Sequence, residues 1–130
     1  MLCRLAYASR ALIDGRSVEF LDLIRTSARK NAARGVTGAL FFNAVEFFQV
    51  IEGEEAVIDA LFAAIQVDPR HFDVALLLRD IVEARRFCGW ELKMIDGARY
   101  LHLRHLFDYD RMVAAGPSGV EKRIELLAQL

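Results

Sequence analysis

The chain has 130 residues, of which 55% are hydrophobic and 27% are charged, and its formal net charge is −1. These values predict one globular domain with a real core, and no overall field that would attract nucleic acid or an anionic membrane. The two cysteines, Cys3 and Cys88, lack metal-ligand spacing and predict no disulfide framework. With no signal peptide and no membrane-length apolar run, the expectation is a soluble cytoplasmic protein without nucleic-acid or membrane partners.

The first elements are a strand and an amphipathic helix. Residues 2–9 are apolar and β-prone, and Asp14-Gly15 marks a turn after them. Ser17 is a candidate N-cap for the helix, and Gly35 is placed to end it. Asn31 falls on the apolar stripe of this helix. Its carboxamide is therefore predicted to be buried and to need hydrogen-bond partners.

Two β-rich runs follow, at residues 36–43 and 46–52, joined by the hairpin Asn43-Ala44-Val45. Both alternating faces of the second run are apolar, which predicts a central strand of the sheet. Gln49 interrupts one of these faces. It is the second carboxamide predicted to be buried.

The rest of the pattern is a helix ending at Asp68-Pro69, strands over residues 74–82 and 87–95, and a helical tail. The order β-α-β-β-α-β-β predicts an α+β, ferredoxin-like fold, with a five-stranded mixed sheet and both core helices on one face. We expect a core over residues 1–96 and a C-terminal helical extension over residues 97–130, broken at residues 116–119. The extension is expected to cover the open sheet face or to meet a partner.

The second helix and the last strand each have a predicted apolar face. The helix stripe consists of Val57, Leu61, Ala64 and Ile65. Alternation along the last strand places Trp90, Leu92 and Met94 on one face, and Trp90 is a core residue by default.

No catalytic constellation is present in the sequence, since there is no phosphate loop, zinc spacing or nucleophile motif, and no enzyme activity is predicted. His102 and His105 lack a third ligand nearby, so surface histidines are the better interpretation. Singly, Asn31 and Gln49 are typical of structural hydrogen bonding. Together with the phenol of Tyr7, they form a combination that suits a light-excited flavin better than hydrolysis.

The sequence resembles the BLUF family, the sensors of blue light using FAD. The resemblance rests on separated motifs in the family's order: RLAYAS, SARKNAARGVTGALFF, FFQVIEG, DPRH and RRFCGW. These motifs extend over residues 2–95. The resemblance implies the ferredoxin-like fold and a noncovalently bound FAD between the two core helices, with FMN or riboflavin as alternatives.

By position, the resemblance implies that Tyr7 donates an electron and a proton to the light-excited flavin. Gln49 would lie between this phenol and the flavin edge, and its rearrangement would give a red-shifted signalling state. Asn31 would hydrogen-bond the pyrimidine side of the ring. The other cofactor contacts implied are Lys30, Asp68, Arg70 and His71.

The resemblance also implies a route for the signal. It would pass through Trp90, Leu92 and Met94 to the tail helices, and from there to a homo-oligomer or a separate effector protein. Leu92 stands where the family commonly has methionine, so the volume is kept and a weak sulfur acceptor is lost. The alternatives are a light-inactive adaptor of the same fold, an acylphosphatase-like small hydrolase and a dimeric interaction module.

Overall fold

The computed structural model describes all 130 residues and has the predicted α+β, ferredoxin-like fold. The elements in chain order are β1 (Leu2–Ala11), α1 (Val18–Arg34), β2 (Thr37–Phe42), β3 (Glu46–Glu54), α2 (Glu55–Gln66), β4 (His71–Ile81), β5 (Lys93–Asp96), α3 (Tyr109–Ala114) and α4 (Gly116–Gln129). The sheet order is β4-β1-β3-β2-β5. Only β2 and β5 are parallel, which makes the sheet mixed as predicted. No helix has the length and apolar content required to cross a bilayer.

The ends of α1 and the first hairpin form for local reasons that the sequence contains. The Ser17 side chain accepts the N–H three residues on at 3.1 Å, which satisfies one of the free donors of the first helical turn. Gly35 ends the helix in the left-handed conformation, at φ 66. In the hairpin, the Asn43 side chain accepts the N–H of Glu46 at 2.8 Å, and Ala44 takes a positive φ of 75.

The two faces of the sheet are covered by different parts of the chain. Helices α1 and α2 pack on one face, which we call the cavity face, and residues 97–130 pack on the other, the tail face. The tail face holds the largest apolar core: Ala6, Ala8, Ala39, Phe41, Phe48 and Val50 from the strands, and Phe107, Met112, Val120, Ile124 and Leu127 from the tail. The tail therefore covers the open face of the sheet, the first of its two expected roles.

The prediction that the last strand begins at residue 87 is wrong, because β5 begins at Lys93. Residues 82–92 form an irregular loop in which Gly89 has φ 85. The buried carboxylate of Glu52 accepts the N–H groups of Arg86 at 2.7 Å and of Phe87 at 3.0 Å. These donors are satisfied by a side chain, so this part of the chain is held at the sheet without joining its ladder.

The break predicted at residues 116–119 lies slightly earlier: α3 ends at Ala114 and α4 begins at Gly116, so that residues 116–119 form the first turn of α4. Gly116 takes a positive φ of 72 after the short α3. Pro117 lies in the first turn of α4, where backbone N–H groups have no helical acceptor, so the N–H that proline lacks is not needed. In α2 the buried residues are Ile58 and Phe62, and the predicted stripe lies beside them.

Candidate functional site

A cavity of about 230 Å³ opens between α1 and α2 above the cavity face. Helix α1 provides Leu23, Ile24, Ser27, Lys30, Asn31 and Arg34; α2 provides Leu61, Ala64 and Ile65; the strands and loops provide Tyr7, Leu40, Phe47, Gln49, Asp68, Arg70, His71 and Leu92. All seven residues predicted to contact a cofactor are therefore brought together here. Nine of the 17 lining residues are hydrophobic and the others are polar or charged, a mixture that suits an aromatic ligand with polar edges.

The floor of the cavity contains a hydrogen-bonded pair on neighbouring strands. Tyr7 on β1 lies directly opposite Gln49 on β3, and its hydroxyl donates to Gln49 Oε1. The two residues are 4% and 9% exposed. Burial raises the pKa of the Tyr7 phenol well above its ordinary value, and the negative charge of Asp68 raises this pKa further. The hydroxyl of Tyr7 uses its proton on Gln49 Oε1, so Nε2 is the part of the Gln49 amide that is left for the cavity.

Asn31 is the second polar group of the cavity wall and is 3% exposed. Its Nδ2 donates to the carbonyl oxygen of Glu91 at 2.8 Å, and its Oδ1 makes no hydrogen bond within the protein. Gln49 therefore offers a donor to the cavity and Asn31 an acceptor. Both atoms lie at the open cavity and are not sealed from it. A ligand that covered them without matching them would leave unmatched buried polar groups at roughly 1–3 kcal/mol each, so a ring edge with both kinds of group would complete the site. The edge of a flavin carries both kinds.

The rim of the cavity is a turn whose polar side chains bind one another. Arg70 Nε donates to Asp68 Oδ1 at 2.8 Å, and this hydrogen bond lowers the pKa of the Asp68 carboxyl. His71 Nε2 lies 2.6 Å from the carbonyl oxygen of Ile65, and its Nδ1 lies 2.7 Å from the Ser9 hydroxyl. Since a carbonyl only accepts, Nε2 donates to Ile65, and the other ring nitrogen is left to bond the Ser9 hydroxyl. These bonds fix the rim to β1 and to the end of α2.

Two residues that sequence reasoning missed contribute to this site. Ser9, which is fully buried, braces His71. Arg34 lines the cavity beside Lys30; both are exposed, and neither forms an ion pair. The local sequence pattern did not indicate a role for Ser9, because its partner His71 lies on a strand 62 residues away.

The three predicted relay residues do not share one face. Leu92 lines the cavity, and Met94 packs against the cluster on the cavity face that contains Phe42. Trp90 is 51% exposed, and its ring lies 5.6 Å from the ammonium nitrogen of Lys93. The predicted core position of Trp90 is wrong because the chain there is a loop and does not alternate as a strand does.

The chain matches the family model described as "BLUF: Sensors of blue-light using FAD" over residues 2–93. It therefore belongs to the BLUF family, whose domains bind flavin. The match covers both core helices and four complete strands, and it ends at the first residue of β5.

Individual relatives agree with this assignment. The blue light- and temperature-regulated antirepressor BluF of Escherichia coli is 38% identical over 94 residues, which are 71% of this chain and 23% of BluF. The solved structure of Klebsiella pneumoniae BlrP1 with FMN and cyclic diGMP has a TM-score of 0.69 and 40% identity, over 80% of this chain and 30% of BlrP1. BlrB, a BLUF protein solved in its dark state, has a TM-score of 0.82 and 32% identity, over 99% of this chain and 97% of BlrB. The chain thus spans about a quarter of BluF and nearly all of BlrB.

Proposed function

We propose that this chain is a blue-light sensor that binds FAD noncovalently in the cavity and converts light absorption into a rearrangement of Tyr7 and Gln49. The observation that carries the proposal is the hydrogen bond from the Tyr7 hydroxyl to Gln49 Oε1 at the cavity floor. When bound, the flavin supplies a ring that absorbs blue light and, once excited, takes up an electron and a proton. All further steps belong to side chains of the protein.

Tyr7 is the donor in this proposal, because it is the tyrosine at the cavity and its raised pKa keeps the proton on the phenol at rest. Once that proton has left, the Tyr7 oxygen can only accept a hydrogen bond. It then favours the NH₂ end of Gln49 over the oxygen end. Rotation of the Gln49 amide would turn its acceptor towards the cavity. The electron and the proton then return to Tyr7 while the amide stays rotated, and the changed hydrogen bond to the cofactor would shift the absorption to the red.

The other cavity residues bind and orient the cofactor in this proposal. Asn31 Oδ1 accepts from the ring edge, while its Nδ2 stays on the Glu91 carbonyl. Lys30 and Arg34 place positive charge at the cavity, which suits the phosphates of FAD or FMN. FMN in the structure of BlrP1 supports a flavin nucleotide.

The output of the sensor is proposed to pass through the tail helices to another protein or to a second copy of the chain. The tail contacts the sheet face opposite the cavity, so a change in the strands can reach it. The relative BluF is an antirepressor, which supports a protein effector. No turnover chemistry is assigned to the residues of the cavity.

The absorption spectrum of the purified protein, recorded in darkness and after blue light, tests the proposal. A yellow protein with a reversible red shift is expected, and Tyr7→Phe should keep the flavin and lose the shift completely. Tyr100→Phe is the matched control, because Tyr100 packs with the tail-face core and should leave the shift intact. A colourless protein that takes up no added flavin would overturn the proposal, and a normal shift in Tyr7→Phe would overturn the assignment of the donor.

A further inference from the structure

Three consecutive residues that lead into β5 connect the cavity to the tail: Glu91, Leu92 and Lys93. The carbonyl oxygen of Glu91 accepts from Asn31 Nδ2 at 2.8 Å. The side chain of Leu92 lines the cavity. Lys93 lies on the other side of the segment, where its ammonium group reaches α4. Because extended chain advances about 3.3 Å per residue, roughly 7 Å of backbone joins the cavity wall to the tail.

The Lys93 ammonium group caps the C-terminal end of α4. Its Nζ donates to the carbonyl oxygen of Leu127 at 3.1 Å and to that of Ala128 at 3.3 Å. The Leu127 carbonyl also accepts the N–H of Leu130 at 3.3 Å. Carbonyls at the end of a helix lack a full set of helical partners, and positive charge is favourable there. The last turn of α4 contains no basic residue, so Lys93 supplies from β5 the charge that α4 lacks.

The segment that includes Lys93 is also fixed to the sheet. The Trp90 carbonyl accepts the N–H of Gly38 at 3.0 Å, and Lys93 pairs with Ala39 on β2. The exposed Trp90 ring lies 5.6 Å from Lys93 Nζ and adds a cation–π contact. A displacement of Glu91 or Leu92 therefore moves the base of the lysine side chain.

We infer that Lys93 is the positioning residue that couples the cavity to α4, so that a flavin in the cavity strengthens the docking of α4 on the sheet. The cavity ligand comes from the proposed function, and the coupling through residues 91–93 is the additional claim. Thermodynamic linkage makes the coupling reciprocal: loosening α4 weakens flavin binding by the same factor. Trp90 then acts through Lys93, and not by contact with Gln49.

Hydrogen exchange of the full chain, with FMN as the probe, tests this coupling. In the dark, FMN is expected to slow amide exchange across residues 120–130 of the wild-type chain. Lys93→Met keeps the apolar stem and removes the donors, so it should abolish this FMN-dependent slowing and weaken FMN binding on the order of fivefold. Lys93→Arg restores charge and donors and should behave as wild type.

Lys122→Met is the matched control, because Lys122 is an exposed lysine on α4 outside the cap. It should leave both measurements unchanged. If Lys93→Met does not fold, Lys93→Gln replaces it, since glutamine is too short to reach both carbonyls. A merely structural cap would raise exchange in α4 equally with and without FMN.

The inference is overturned if Lys93→Met keeps the full FMN-dependent slowing, or if wild-type protein binds FMN without any change at residues 120–130. In both cases the proposed function stands. If wild-type protein binds neither FMN nor FAD, it is the proposed function that fails.

Discussion

The two faces of the sheet are built from the same strands, yet they differ in what they leave unfilled. On the tail face, alternate residues of β1, β2 and β3 form a continuous apolar core with the tail helices. On the cavity face, the intervening residues include Tyr7 and Gln49 and lie below a cavity of about 230 Å³. The alternation of side chains across a strand thus separates a face that stabilises the fold from one that binds a ligand.

The polar groups of the two faces also differ in how they are satisfied. The buried Glu52, whose side chain lies towards the tail face, accepts hydrogen bonds from Arg4, Thr37, Arg86 and Phe87. On the cavity face, by contrast, Asn31 and Gln49 each make one hydrogen bond to the protein. The difference indicates that the first set of groups holds the fold and the second set is available to a ligand.

The largest expected effect is on the tail face. Phe107 is fully buried and stacks on Phe41 at 4.2 Å between ring centroids. Phe107→Ala should lower the free energy of unfolding by about 3–5 kcal/mol, because it opens a cavity in the main core. Flavin affinity of the folded fraction should fall by no more than the roughly fivefold expected for Lys93→Met, because Phe107 packs on the tail face and reaches the cavity only through the docking of α4. Denaturant unfolding and flavin titration measure the two quantities, and a larger loss of affinity would show that the two faces are coupled by more than the Lys93 contact.

A smaller effect is expected at Glu46, the buried acid at the start of β3, whose Oε2 has no hydrogen-bond partner. Burial raises the pKa of this carboxyl, and the nearby Asp108 and Asp110 raise it further. Ionisation of Glu46 therefore lowers the stability of the folded state. This loss develops as the pH rises from the unfolded pKa of about 4.3 towards the raised folded pKa, and it is absent at lower pH.

Glu46→Gln should remove this cost and increase the free energy of unfolding at pH 7 by about 1 kcal/mol. Below pH 4 the variant and the wild type should be nearly equal, because the acid is then protonated in both states. Denaturant unfolding at the two pH values is the measurement. Equal stability at pH 7, or a gain that appears only at low pH, would contradict the assigned cause.

The smallest effect is expected on the cavity face, where Leu92 occupies the family's usual methionine position. Leu92→Met conserves volume, so the free energy of unfolding should change by less than about 1 kcal/mol. The added sulfur is a weak acceptor beside the cavity, where the resting Gln49 presents its NH₂ group and the rearranged Gln49 presents its oxygen. It should therefore favour the resting state and speed dark recovery about twofold. Recovery is followed by absorbance after a blue pulse. An identical recovery rate would mean that leucine at this position has no consequence for the relay.

Much of the site could be predicted from local pattern. The caps at Ser17 and Gly35 set the limits of α1, and its period then places Asn31 inward. Strand alternation does the same for Gln49. These predictions succeeded because helix caps and side-chain period depend on neighbouring residues alone.

Contacts between distant segments could not be predicted in this way. The strand pattern over residues 87–95 was apolar enough to suggest a strand, but the carboxylate of Glu52 holds the N–H groups at its start. That competition moved Trp90 to the surface and left Leu92 at the cavity. The brace from Ser9 to His71 and the cap from Lys93 to α4 likewise join residues far apart in the chain.

The sequence by itself determined the element order, the two buried carboxamides and the family to which the chain belongs, because each depends on residue type and spacing along the chain. Only the tertiary structure decided that Tyr7 lies opposite Gln49, that one cavity joins both amides, and that Lys93 reaches the end of α4. The physical reason is that register, burial and hydrogen-bond partners arise when distant segments meet, and local pattern does not specify where they meet.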